Sequence, residues 1–375
     1  ILAQDNLAQD VLCASIEKSG QYQKAHMECS NSLASALVYL DWQLLHPTDV
    51  SRVSAIGTNF RQFLLNGLVS QLKIVRNSEY DIEGDREDLK EYLDNEVKNR
   101  CCAWKALSLL PDIAAEAMPQ MVIHVGGEAK EYEFLSGLRT AQGKHIMSVF
   151  EAPMAALCDL GPVSGPCLPV LRDLLTHFVS NRDFDALDLV LQTLESIGSL
   201  AVQAIPELLP LADMVGPWGE KVRRALIRTL LGIGQEAVNT LIVLLSDQDS
   251  ALVSQACSIL GAMGPLAASA VTHLASLLQS QVADIRMGAA SALGDLGHHA
   301  QQGVPALESQ LEQETDQEVG TFLVQSLFQI AMDSSDVRFG HVAIRAVRRA
   351  AVQPQLNVNH WIKELRNKFG DEFGL

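Results

Sequence analysis

One apolar ladder, repeated five times behind a glycine, constrains this chain more than any other feature. Leu-x-x-x-Gly occurs at Leu157–Gly161, Leu194–Gly198, Leu230–Gly234, Leu260–Gly264 and Leu293–Gly297, with glycine spacings of 37, 36, 30 and 33 residues. Three positions after each glycine stands a small residue: Ser164, Ala201, Ala237, Ala267 or Ala300. An aliphatic residue follows at seven (Leu168, Ile205, Leu241, Val271, Val304) and a leucine at ten (Leu171, Leu208, Leu244, Leu274, Leu307).

Steps of three, four and three mark one face of a helix with about 3.6 residues per turn. The glycine supplies the backbone freedom that ends one helix and lets the next fold back on it. Each copy therefore reads as a helical hairpin whose apolar face is too large to leave in water. Hairpins of this kind bury that face by stacking on their neighbours. Several first helices also begin with an acid, an aliphatic residue and a base: Asp284-Ile285-Arg286, Asp336-Val337-Arg338 and, with one residue more, Glu220-Lys221-Val222-Arg223. The acid complements the positive helix end, and aspartate can cap it.

The run Ala283 to Gly297, Ala-Asp-Ile-Arg-Met-Gly-Ala-Ala-Ser-Ala-Leu-Gly-Asp-Leu-Gly, resembles a HEAT repeat of the short bacterial type associated with bilin lyases. The resemblance covers roughly residues 100 to 335 and fades toward the N-terminus. It implies an all-α, right-handed α-solenoid of HEAT-like hairpins with non-repetitive helical caps. The divisions expected are a cap with an acidic segment over 1–99, repeats over 100–335, and basic capping helices over 336–375. Such a repeat specifies architecture and leaves function open.

Charge narrows the choice of function. Residues 1–160 carry 14 basic and 22 acidic groups, residues 161–337 carry 7 and 20, and residues 338–375 carry 7 and 3. Between Thr229 and Val337 a single base, Arg286, faces twelve acids. Duplex binding needs a basic stripe to replace phosphate counterions, so nucleic acid is disfavoured; helical-repeat DNA glycosylases, which are basic, are disfavoured with it. The seven cysteines are odd in number and scattered without a C-x-x-C pair. Free buried thiols are the plainer reading, which predicts a cytoplasmic chain. No run of eighteen uninterrupted apolar residues suggests a membrane span. The chain begins Ile1-Leu2-Ala3 without a methionine, as a fragment or processed form does.

Taken in order, residues 1–75 read as three helices without the glycine ladder, a cap for the first open face of the stack. Residues 76–99 form the most acidic segment. Asp81, Glu83 and Asp85 alternate like a calcium loop, but glycine stands at Gly84 and Tyr92 holds position twelve, so the motif fails. In a degenerate repeat Pro111 occupies the place of the later glycines. Gly126-Gly127-Glu128 predicts a chain break, with 128–143 as an insertion able to line a binding surface. Arg338, Arg345, Arg348 and Arg349 share a helix with Val342, Ile344 and Val347. Trp361, Ile362, Leu365 and Phe369 mark a second amphipathic helix. A docked basic cap is the plainer reading of this end; a membrane-surface or partner-binding helix is the sharper one.

No nucleophile elbow, H-E-x-x-H or two-cysteine metal pair is present, and no cofactor or metal is expected. His298-His299 would need two more ligands that the spacing does not supply. The expectation is a non-enzymatic scaffold that presents an acidic, partly apolar concave surface to a protein or peptide with a basic patch. Its partner-facing positions are Glu207, Asn239, Thr240, Val243, Thr272, His273, Ser276, Ala306 and Ser309, with an acidic edge at Glu312, Glu314 and Asp316. The alternatives are a bilin-lyase-like enzyme or chaperone, and membrane-surface binding through the basic C-terminal helices.

Overall fold

The computed structural model describes residues 65–66, 68–69, 72, 98–137, 143–215, 218–350 and 358–369. The three cap helices and the acidic segment of the sequence reading fall almost wholly outside these residues; within them Leu68 and Leu72 are fully buried. Among the described residues every regular element is an α- or 3-10 helix, and there is no strand. The chain forms two compact units, Ile1–Ala201 and Val202–Leu375.

In the first unit lie α1 (Lys98–Ser108), α2 (Pro111–Gly137), α3 (Gly143–Leu160), α4 (Leu168–Asn181) and α5 (Phe184–Ile197). Helix α3 packs against α1, α2 and α5. Asp183 caps α5 by accepting the Ala186 N–H at 3.1 Å, and its other oxygen takes the Tyr132 hydroxyl at 2.8 Å. From there Leu187, Val190, Leu191 and Leu194 face the core at helical spacing. Residues Val149–Asn181 are long and apolar enough, by length and composition, to cross a membrane. Yet Phe150, Met154, Leu157, Leu171 and Phe178 within them are buried in the unit, as in a core helix.

The second unit holds α6 (Ile205–Leu208), α7 (Gly219–Ile233), α8 (Gln235–Leu244), α9 (Ser250–Ala262), α10 (Val271–Leu277), α11 (Ala283–Asp295), α12 (Val304–Gln313), α13 (Gln317–Asp333), α14 (Val337–Ala350) and α15 (Val358–Phe369). The first helices α9, α11 and α13 pack side by side. They approach closely: a Cβ on Gly294 would stand 3.0 Å from the Ser326 Cα, and the Ser326 hydroxyl donates to the Ala290 carbonyl across the seam. Further bonds join each hairpin to the next. Gln235 reaches Ser269, Gln279 reaches Gln310 and Gln301 reaches Ser334, at sequence separations of 34, 31 and 33.

The ladder is built differently from a plain α-helix. Behind Gly161, Gly198, Gly264 and Gly297 the chain first makes a seven-residue 3-10 helix and only then an α-helical stretch. Six residues of 3-10 helix make about two full turns, where six α residues make about one and two-thirds. Positions three and six therefore share a face, and position ten is carried into the core: Leu171, Leu208, Leu274 and Leu307 are fully buried. Behind Gly234 the α-helix starts at once. There Ala237, Val238, Leu241 and Leu245 are buried, and Leu244 rotates out to half-buried. The expectation that Leu244 is equivalent to Leu274 and Leu307 is thus corrected by a missing 3-10 run.

A second correction concerns Gly126-Gly127. Helix α2 runs unbroken from Pro111 to Gly137, so the segment from residue 128 to 137 is helix and not an insertion. Burial of Ala129 and Tyr132 against the unit outweighs the low helix propensity of the two glycines.

All five ladder glycines have positive φ, 59° at Gly264 and 55° at Gly297. An added side chain at Gly264 meets open space, whereas at Gly297 it meets the Asp333 carboxylate. Gly264→Ala should therefore lose only the roughly 1–2 kcal/mol of left-handed strain, and Gly297→Ala clearly more. Chemical denaturation of the two variants checks the order; equal losses would mean that Asp333 moves freely aside.

Candidate functional site

Helix α12 opens with Pro305 in its first turn, where a missing N–H is harmless. Val304, Leu307 and Gln310 turn inward. That leaves Pro305, Ser309 and Glu312 as an exposed stripe at i, i+4 and i+7. Helix α14 buries Ala343, Ile344, Ala346 and Val347 and leaves Val342 half-buried beside Arg345. The two helices enclose a groove of about 480 Å³. Pro305, Glu308, Ser309, Leu311 and Glu312 line it from α12, and Val342, Arg345 and Ala346 from α14. An ion pair spans it: Arg345 Nη2 donates to Glu308 Oε1 at 2.8 Å, with the two side chains 66% and 35% exposed.

Two of the positions expected from sequence, Ser309 and Glu312, line this groove. The other ten lie outside it. Asn239, Val243, Thr272, His273 and Ser276 are exposed on α8 and α10, while Glu207, Thr240 and Ala306 are half-buried. Asp316 spends its carboxylate on capping α13, accepting the Glu318 N–H at 2.9 Å. Glu314 is committed still more fully. Arg286 grips both of its oxygens, at 2.8 and 3.0 Å, while donating to the Ser280 carbonyl, and the Glu314 side chain is only 4% exposed. Gln310 and the N–H groups of Thr315 and Asp316 complete its shell. The lone base of the acidic stretch thus clamps one turn to the next. Sequence reading missed Glu308 and Leu311, and it named Val342 and Arg345 only as part of the basic C-terminal helix, without joining them to α12; the signal available was the stripe on α12 and the Val342–Arg345–Ala346 spacing on α14.

Burial alone would push the Glu314 carboxyl up, but the bonds from Arg286, Gln310 and the Asp316 N–H hold it at about 2, below its ordinary 4.5. Its contribution to stability is then present above pH 4.5 and lost as pH falls toward 2. Glu314→Gln should flatten that part of the pH–stability curve. An unchanged acid limb in denaturant titrations would show that the clamp contributes nothing.

A second polar cluster, in the first unit, is closed to solvent. Arg100 contacts Glu128 at 3.0 Å and Glu131 at 2.9 Å, with all three side chains 2% exposed. The Trp104 indole N–H donates to Glu128 at 3.4 Å. Burial pushes the Glu128 carboxyl up to about 7 against the pull of Arg100. Beside it Phe150 stacks on Tyr132 and meets Phe178 edge-on. The cluster ties α1 to α2.

The basic C-terminal helices are docked. Helix α15 packs on α14 and α13, with Trp361 stacked on Phe328 at 5.6 Å and Leu365 fully buried. Trp361 and Leu365 of α15 are therefore engaged within the unit.

Residues 217–294, spanning α7 to α11, match the family of HEAT repeats. No curated protein matches the chain. Among solved structures, a mutant of Kap121p is 11% identical, covering 97% of this chain and 48% of its own, with a TM-score of 0.42. The karyopherin Kap121p bound to the extreme C-terminus of the protein phosphatase Cdc14p gives 11%, 98%, 53% and 0.36 in the same order. Yeast importin-beta (Kap95p) gives 14%, 90%, 47% and 0.35. The chain spans about half the length of these structures.

Proposed function

We propose that this chain, a HEAT-repeat protein built as an all-helical solenoid of hairpins, is a binding scaffold that takes a basic protein segment into the groove between α12 and α14. The observation that carries the reading is the groove's lining, in which aliphatic carbon from Pro305, Leu311, Val342 and Ala346 lies beside the carboxylates of Glu308 and Glu312. Mixed apolar and charged walls of this size suit a few side chains of a peptide. The twelve acids of residues 229–337 add a negative field that speeds the approach of a basic partner.

The test begins with a photo-crosslinker at Ser309 to capture the partner from native extract, followed by purification of that partner. Its affinity should weaken as salt shortens the screening length below about 8 Å. The double reversal Glu308→Lys with Glu312→Lys should slow association several-fold while the fold is kept. Reversing Glu314 or Asp316 would be a poorer probe, because those carboxylates hold the turn together. A captured partner that binds the double variant as tightly as the original protein, at low and high salt, would overturn the reading.

A further inference from the structure

We infer that Arg345 makes the groove selective for a segment of mixed charge over a uniformly basic one. The inference rests on the binding role proposed for the groove. The charges there have a fixed order: Glu308 and Glu312 on the α12 wall, Arg345 on the α14 wall. In the free protein Arg345 already neutralises Glu308 across the opening. It stands where a ligand's lysine or arginine would bind.

An exposed pair of this kind contributes little to stability, so an incoming cation can displace it readily. Displacement has a consequence. Arg345 is released beside the ligand and never loses its charge. A uniformly basic segment then places a second cation against it, and juxtaposed like charges oppose binding. A segment that offers a base toward α12 and an acid toward α14 re-pairs both walls. The groove thereby filters what the broad negative field attracts.

Two short fluorescein-labelled peptides with the same leucines test this, one carrying lysines only and one carrying lysines and glutamates, at salt high enough to screen the distant acids. Arg345→Ala should raise the affinity of the all-lysine peptide and lower that of the mixed peptide, changing their ratio roughly fivefold. Arg345→Lys, which keeps the charge, should leave the ratio near that of the original protein and separates a charge effect from a packing one. Circular dichroism of each variant confirms the fold. If Glu312→Lys weakens both peptides but the ratio ignores Arg345, the selectivity inference fails and the groove survives. If neither peptide binds the original protein, both fail.

Discussion

Arg100→Ala should destabilise the first unit by roughly 3–5 kcal/mol, because it leaves two carboxylates without the cation that accompanies them in a dry interior. Glu128 and Glu131 sit with Arg100 between α1 and α2, each 2% exposed. Removing only the guanidinium is the worst change available there. Replacing all three with apolar residues of similar volume should recover most of the loss, since buried ion clusters are often neutral in stability against well-packed hydrocarbon. Guanidinium unfolding followed by fluorescence, in a background where Trp104 is the sole tryptophan, reads the effect in this unit, as Trp104 donates to Glu128 within the cluster. A loss below about 1 kcal/mol for the single change would mean that water enters the site. The same burial predicts a pH dependence. With Glu128 raised from 4.5 to about 7, the folded state holds an extra proton between those values. Stability of this unit should therefore fall as pH rises through that window, and Glu128→Gln should abolish the fall.

The second large effect separates two readings of the ladder. Leu274→Ala and Leu307→Ala should each cost roughly 2–5 kcal/mol, as fully buried leucines do. Leu244→Ala should cost distinctly less, and Leu241→Ala should take the place that repeat arithmetic gives to Leu244. The reason is the 3-10 run, present behind Gly264 and Gly297 and absent behind Gly234. Equal losses at Leu244, Leu274 and Leu307 would restore a uniform ladder and refute the phase argument. Urea melts of the four variants under one set of conditions decide the matter.

The hairpins were legible in the sequence because their cause is local: a glycine at positive φ followed by apolar residues at helical spacing. The 3-10 runs were not, since a small residue at position three suits either helix, and the extra rotation shows only in which later residues are covered. Acids of the 312–316 segment illustrate a sharper limit. Glu312, Glu314 and Asp316 look interchangeable as letters. One lines a groove, one is gripped by Arg286 from 28 residues away, and one caps a helix. Their roles depend on partners outside the segment. The groove was hidden for a similar reason, because its α14 wall belongs to residues that carry no glycine ladder. Gly126-Gly127 misled in the opposite direction: turn-forming residues were overruled by the buried residues just after them.

Among the described residues, the bonds between hairpins reach about one repeat along the chain, as from Gln235 to Ser269, Gln279 to Gln310 and Gln301 to Ser334. Cohesion among these residues is then passed from neighbour to neighbour. A unit held in this way should not melt all at once. Fraying can start at an exposed terminal repeat and stop at any strong junction, leaving the remainder intact. Hydrogen exchange should accordingly show protection that is graded along the chain, greatest around the α9–α11–α13 seam and declining toward α15. The same linkage lets such a chain gain or lose a whole hairpin over evolutionary time, with only the two new neighbours having to fit.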